Sequence, residues 1–173
     1  MSMLYPHGEL EEAAVRWLLL ERKCIAAYTE RHPTGYWKPD AIGVLSSRRI
    51  IEIEVKRTVA DFRADRLKSN VMAWRHEERG RPYQFYYLIP VEIASVIPEI
   101  PEWAGVIQAR DQFQLDVVRR ATVNNQAKRI PLKHVAKATR QQSLQVMSLM
   151  GDACRMRSQA QWMREEIYRL KTQ

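Results

Sequence analysis

Three charged residues between positions 39 and 56 have the types and spacing of a hydrolytic metal site. Asp40 follows a proline just before one Ile- and Val-rich run, and Glu54 and Lys56 lie two positions apart in a second such run. Carboxylates bind hard divalent cations, and Mg²⁺ needs only one or two of them together with water and phosphate oxygens. A lysine beside such a pair could orient the attacking water or neutralise charge on a scissile phosphate.

A β-hairpin would bring these side chains together. The two apolar runs flank a polar turn at 46–49, which is typical of a hairpin. In the second run Glu52, Glu54 and Lys56 alternate with apolar residues, so the strand period of two sends charged and apolar side chains to opposite faces. On these residues alone, a strand with a solvated charged face is the simpler interpretation. The choice between this interpretation and a metal site depends on the rest of the sequence.

Helical and strand periodicities place this hairpin inside a larger domain. The predicted elements are a helix at 9–23, a strand at 24–29, the hairpin, a helix at 59–80, a strand at 83–89, a short helix at 91–97, and strands at 104–109 and 113–118. The order predicts an α/β fold in the broad sense, an α+β mixed sheet flanked by helices.

Charge and cysteine content narrow the partner and the compartment. The chain has 173 residues, and Lys plus Arg exceed Asp plus Glu by 28 to 20, a formal net charge of +8. Such an excess favours a polyanionic partner, with nucleic acid ahead of an anionic membrane surface. Cys24 and Cys154 show no metal or redox spacing, and neither a signal peptide nor an apolar run long enough to span a bilayer is present. We therefore expect a cytoplasmic protein with no membrane partner.

The positive charge is concentrated towards the C-terminus. No acidic residue occurs between Val117 and Gly151. A charge run is often only a solvated face, but the complete absence of acids over this length favours phosphate contact. The residues expected to bind nucleic acid are Arg119, Arg120, Lys128, Arg129, Lys133, Lys137 and Arg140, together with Arg57 beside the hairpin.

The only candidate domain boundary follows residue 130. We predict a first domain at 1–130 and a basic C-terminal helical extension at 131–173, with helices at about 131–150 and 159–170. Apolar residues on these two helices would pack on each other or on a second subunit. A homodimer through the C-terminal helices is therefore one expectation.

Pro39-Asp40 followed by Glu54-Val55-Lys56 resembles the motif of the PD-(D/E)xK nuclease superfamily. The predicted αβββαβ order is also similar to the core of that superfamily. The segment from Glu54 to Lys68 is similar to the MmcB-related DNA-repair branch, in which an Asp-Phe-x-x-Asp-x-Lys pattern follows the Glu-x-Lys strand. This chain has Asp61-Phe62 and Asp65, with the lysine one place later, at Lys68. The resemblance covers about residues 9–118.

The resemblance implies a restriction-endonuclease-like αβββαβ core and a Mg²⁺- or Mn²⁺-dependent deoxyribonuclease. Asp40 and Glu54 would be the metal ligands and Lys56 the catalytic lysine. A further acid often comes from the first helix or first strand of such proteins, and Glu11 and Glu30 compete equally for that place. DNA repair, recombination, or the processing of mobile-element or phage DNA would be the biological setting.

Two other interpretations remain open. The chain could be a non-catalytic DNA-binding protein that keeps the nuclease-like fold, or an assembly protein that oligomerises through its terminal helices. Asp61 and Asp65 lie one helical turn apart and are most simply surface or helix-start acids, although a positioning role near Lys56 is an alternative. Glu52 is expected to pair with a basic side chain.

Overall fold

The computed structural model describes residues 8–29, 39–65, 81–111, 113–137, 139, 140 and 142. The predictions for Glu30, for the helix between 66 and 80 and for the terminal helices beyond 142 lie outside these residues. The chain divides into two compact units, Met1–Ala138 and Thr139–Gln173. The architecture below is that of the first unit.

The first unit contains the predicted elements in the predicted order. The helices are α1 (Glu9–Leu20) and α2 (Val59–Asp65), and a 3-10 helix spans Val91–Glu99. The strands are β1 (Ala26–Thr29), β2 (Ala41–Val44), β3 (Ile50–Val55), β4 (Gln84–Pro90), β5 (Gly105–Ala109) and β6 (Leu115–Arg119). Residues 132–137 are also helical. No helix among the described residues is both long and apolar enough to cross a lipid bilayer.

The six strands form one mixed sheet in the order β1-β2-β3-β4-β5-β6. Neighbours are antiparallel from β1 to β3, parallel from β3 to β5, and antiparallel between β5 and β6. The predicted mixed sheet is therefore confirmed. Strand β3 joins the antiparallel hairpin to the parallel half, so it is held by backbone hydrogen bonds on both sides.

Helix α1 covers one face of the sheet because its apolar residues recur at helical spacing. Leu10, Ala14, Trp17 and Leu18 pack against the face that carries Ile51, Ile53 and Val55. The approach is close at Gly43 on β2. A Cβ atom there would lie 2.7 Å from Sγ of Cys24 and 2.8 Å from Cδ2 of Leu18, closer than real contacts allow.

Two apolar clusters cover the opposite face. Next to β4 and β5, Phe62 of α2 and residues of the 3-10 helix pack on Phe85 and Tyr87. Next to β1 and β2, Ile130 and Val135 pack on a cluster whose other members are Ala26, Ile42, Val44 and Ile50. Glu52 lies on this face and is only 2% exposed. The interpretation of β3 as a strand with a solvated charged face is therefore wrong, since both faces of the sheet are covered.

The segment after β6 is fastened to the sheet by backbone hydrogen bonds. The N–H of Asn124 donates to the carbonyl of Tyr83, and the N–H of Ile130 donates to the carbonyl of Arg48, both at 2.9 Å. With Val135 buried as well, the first unit continues to Ala138, beyond the end that we expected at residue 130.

Candidate active site

Asp40 and Glu54 face each other across the β2–β3 hairpin. Ala41 pairs with Ile53, so the antiparallel register, continued by one residue, sets Asp40 opposite Glu54. The backbone N–H of Val55 donates a 2.7 Å hydrogen bond to Oδ2 of Asp40. The two acids predicted from the motif are thus brought together at the end of β3.

Lys56 follows β3 directly and lies within the same group. Its backbone N–H donates to the carbonyl of Leu88 at 2.9 Å, which extends the pairing with β4 by one residue. Its Nζ is 2.8 Å from Oε1 of Glu54 and 3.9 Å from Oδ1 of Asp61, and its side chain is only 4% exposed. Because burying an ammonium is costly unless it is paired, these carboxylates are what allow Lys56 to lie here.

The environment of Asp40 opposes its negative charge. The pKa of Asp40 is raised from 3.8 to about 6, chiefly by burial and then by the neighbouring negative charges of Glu54 and Glu11. The Val55 hydrogen bond and the charge of Lys56 act in the opposite direction. Carboxylates crowded in a buried site need a cation or a proton, so this position favours either metal binding or protonation.

Glu11 reaches the same region from the first turn of α1. Its Oε1 lies 2.6 Å from Nη2 of Arg57, and its Oε2 is buried with no hydrogen-bond partner among the described residues. Of the two candidates for the further acid, Glu11 therefore lies within electrostatic range of Asp40, whereas Glu30 is outside the described residues. Arg57, expected to contact nucleic acid, is engaged with Glu11.

Asp61 is an exposed acid at the start of α2, as expected, and it is also a charged neighbour of Lys56. Its backbone N–H donates to Oγ1 of Thr58 at 3.0 Å, a side-chain cap at the start of α2. Its Oδ2 accepts the backbone N–H of Arg57 at 3.4 Å. The signal in the sequence was the Thr58-x-x-Asp61 spacing, which resembles a capping box and turns the acid back towards Lys56.

The donor set suits a hard divalent cation. Within the described ranges, no group of three or more His, Cys, Asp or Glu side chains is placed to hold a metal ion. Mg²⁺ requires fewer protein ligands than that, because water and substrate phosphate complete its octahedron. Asp40 and Glu54 supply carboxylate oxygens, and Oε2 of Glu11 is a buried acceptor that no donor of the described ranges reaches. The residues therefore fit Mg²⁺ or Mn²⁺ better than a thiolate- or imidazole-binding metal.

Most of the predicted nucleic-acid-binding residues are exposed, but Arg57 and Arg119 are half-buried. Arg119 is half-buried, and its guanidinium donates to the carbonyls of Ala104, Ile100 and Pro101 at 2.9–3.2 Å, so it holds the chain before β5. The predicted residues that are exposed and lie in the first unit are Arg120, Lys128, Arg129, Lys133 and Lys137. Arg140 is exposed and belongs to the second unit.

The part of the basic segment (residues 119–140) that holds Ile130 and Val135 lies on the same side of the sheet as the two acids. Ile130 and Val135 pack on Ile42 of β2. Ile42 is two positions from Asp40 and pairs with Glu52, which precedes Glu54 by two, so these residues share a sheet face. Phosphate-binding cations would therefore flank the face to which the carboxylates belong.

Comparison with known proteins gives one structural relative. No protein-family model matches the sequence, and no curated protein matches it. A solved structure described as a protein of unknown function from Silicibacter pomeroyi is similar, with a TM-score of 0.61 and 20% sequence identity. The alignment covers 86% of this chain and 94% of that chain. At this identity the likeness shows a shared fold only.

Proposed function

We propose that this chain is a Mg²⁺- or Mn²⁺-dependent nuclease that hydrolyses phosphodiester bonds in DNA, built on the core of the PD-(D/E)xK superfamily. The observation that carries the proposal is the convergence of Asp40, Glu54 and Lys56 at one end of the hairpin. The order α1-β1-β2-β3-α2-β4 supports it, since this is the order that the superfamily resemblance implies.

Each residue of the group has a role suited to its surroundings. Asp40 and Glu54 would hold the divalent cation, which supplies Lewis-acid stabilisation of the scissile phosphate when bound. The Val55 N–H fixes one oxygen of Asp40 and leaves the carboxylate directed across the hairpin. Lys56 would place its ammonium against the attacking water or the phosphate, where low exposure strengthens its electrostatic effect.

DNA is the substrate that the charge distribution favours. Five exposed cations of the first unit follow one another along residues 120–137, a stretch without a single acid. Phosphate contacts from such a segment would bring a duplex or a branched strand to the carboxylate face independently of sequence. Repair, recombination and mobile-element or phage DNA processing all use nucleases of this kind.

A substrate panel tests the proposal directly. Linear, nicked, forked and four-way DNA should be incubated with Mg²⁺ and with Mn²⁺, using the wild type, Asp40→Asn, Glu54→Gln and Lys56→Ala. We expect cleavage by the wild type and a loss of about 100-fold or more in each variant. The matched control is Asp116→Asn, which removes a carboxylate on β6 that pairs with the exposed Arg110. This variant should cleave DNA normally.

Metal titration separates the nuclease from a non-catalytic DNA-binding protein. Calorimetry with Mn²⁺ should find a site in the wild type that Asp40→Asn loses, because a carboxylate is exchanged for a weaker neutral ligand. A protein that binds DNA, cleaves none of the substrates and has no Asp40-dependent metal site would be the DNA-binding alternative, and the nuclease proposal would be rejected.

A further inference from the structure

We propose that Asp61 is the positioning residue of Lys56, an inference that rests on the proposed nuclease function. In this arrangement Asp61 gives the Lys56 ammonium an anionic partner that is not one of the proposed metal ligands. The residue itself does not touch the reacting atoms. It acts through Lys56 alone.

The ammonium of Lys56 lies near two carboxylates, of which one belongs to a proposed metal ligand and the other does not. Glu54 is 2.8 Å away and Asp61 is 3.9 Å away. Glu54 is also a proposed cation ligand, so one carboxylate has to serve both the cation and the lysine. Asp61 does not bind the cation in this proposal, so it still holds the ammonium in place when Glu54 contacts both the cation and Lys56.

Asp61 is itself held on several sides. Its N–H is capped by Oγ1 of Thr58, and its Oδ2 accepts the N–H of Arg57. Its other carboxylate oxygen, Oδ1, is the atom that faces Nζ of Lys56. The side chain is therefore oriented by the start of α2 before any substrate binds.

The positions of Lys56 and Asp61 are fixed to the same strand. Lys56 is tied to β4 by its N–H bond to the carbonyl of Leu88. Phe62, adjacent to Asp61 and 1% exposed, packs edge-on against Tyr87 of β4 with ring centroids 5.5 Å apart. Because Leu88 and Tyr87 are neighbours on one strand, the lysine and its acid keep their spacing as a unit.

The expected effect is moderate because Asp61 is 49% exposed, and a half-exposed ion pair is screened by water. Loss of its charge should lower kcat by about two- to fivefold and leave KM unchanged. The variants to compare are Asp61→Asn, the conservative Asp61→Glu, and the control Glu99→Gln. Glu99 of the 3-10 helix lies 3.0 Å from Arg63, which is on α2 like Asp61. The control therefore removes an ion pair of α2 that does not involve Lys56.

Two measurements decide the matter, and one of them does not require cleavage. The NMR signal of the Lys56 ammonium can be assigned by its disappearance in Lys56→Arg. This signal should report a more mobile ammonium group in Asp61→Asn than in the wild type. Wild-type mobility should return in Asp61→Glu and be unchanged in Glu99→Gln. The kcat for the best DNA substrate should follow the same order of variants. Together these results would establish the positioning role.

Two outcomes would overturn the inference, and they are distinguishable. If the Lys56 resonance of Asp61→Asn matches that of the wild type while the wild type cleaves DNA, the nuclease proposal stands and Asp61 does not position Lys56. If the resonance responds but the wild type cleaves none of the DNA substrates, the proposed function fails. Asp61 then has only a structural pairing and no role in hydrolysis.

Discussion

The backbone N–H of Val55 donates a 2.7 Å hydrogen bond to Oδ2 of Asp40. This contact joins the residue before β2 to the last residue of β3, so the acid is held by the neighbouring strand rather than by its own. The position of Asp40 beside Glu54 thus depends on correct pairing of the hairpin. A loss of strand register would remove the carboxylate pair as well.

The buried carboxyl of Asp40 should make stability fall as pH rises. Its pKa is raised to about 6 from an ordinary 3.8, so between these values the folded chain binds more protons than the unfolded chain. The protonated form contributes its full stability below about pH 4 and loses it above about pH 6. Without metal, Asp40→Asn should remove this loss and be more stable at pH 7.5 by roughly 2–3 kcal/mol.

Urea unfolding in the presence of EDTA measures this effect at pH 5 and pH 7.5. The exposed Glu102 provides a control, because Glu102→Gln removes one acid from the surface without altering the hairpin. Unfolding free energies of wild type and Asp40→Asn that change in parallel with pH would contradict the explanation given for Asp40.

Protons should compete with a divalent cation at the same carboxylate. Because the pKa of Asp40 is about 6, Mn²⁺ affinity is expected to be constant above that pH and to fall about tenfold per unit below it. Calorimetric titration at pH 5, 6, 7 and 8 gives the profile. Equal dissociation constants at pH 5 and pH 8 would mean that Asp40 does not bind the ion.

Removing Arg57 should destabilise the fold through Glu11. Both side chains are mostly buried, Arg57 at 24% exposure and Glu11 at 14%. Truncating Arg57 would leave the Glu11 carboxylate without this positively charged partner. We expect Arg57→Ala to lower the unfolding free energy by about 1–3 kcal/mol. The double variant with Glu11→Gln should recover part of that loss.

DNA binding distinguishes this pairing role of Arg57 from phosphate contact. If Arg57 serves mainly to hold Glu11, Arg57→Gln, which removes the positive charge, should leave the salt dependence of DNA affinity unchanged. A salt slope reduced by about one would assign it to a phosphate instead, as we expected from the sequence.

Cations of the basic segment should each account for a phosphate contact. Lys128→Gln, Lys133→Gln and Lys137→Gln are expected to weaken DNA binding similarly for all sequences and to reduce the salt slope by about 0.9 each. Fluorescence anisotropy between 50 and 200 mM salt, a range set by the usual steepness of such binding, is sufficient. Arg119→Gln should instead lower stability, because its guanidinium holds three carbonyls.

Hydrophobic periodicity, together with the Gly and Pro residues that interrupt it, predicted the helices and strands of the fold well. The alternation in β3 and the helical spacing in α1 give unambiguous patterns, and β4 is buried along its whole length as its continuous apolar run indicated. Strand order and direction were not predictable from these patterns, because the parallel pairing of β3 with β4 depends on contacts distant in the sequence.

The site was predicted less completely than the fold. Spacing of two on a strand brought Glu54 and Lys56 together, and the hairpin register added Asp40. The Glu11–Arg57 pair and the Lys56–Asp61 pair each join two elements, so only packing brings them into contact. Periodicity also assigned the wrong surroundings to Glu52, since an alternating charged face does not reveal that Ile130 and Val135 will cover the sheet beside it.

Gly43 links the interior of the fold to the geometry of the acids. Any side chain at this position would press on Leu18 and Cys24, and Leu18 belongs to the helix that carries Glu11. The absence of a side chain at Gly43 therefore lets the helix that carries Glu11 lie close against β2. The placement of one site carboxylate thus depends on a backbone position, between the helix and the sheet, that has no charge of its own.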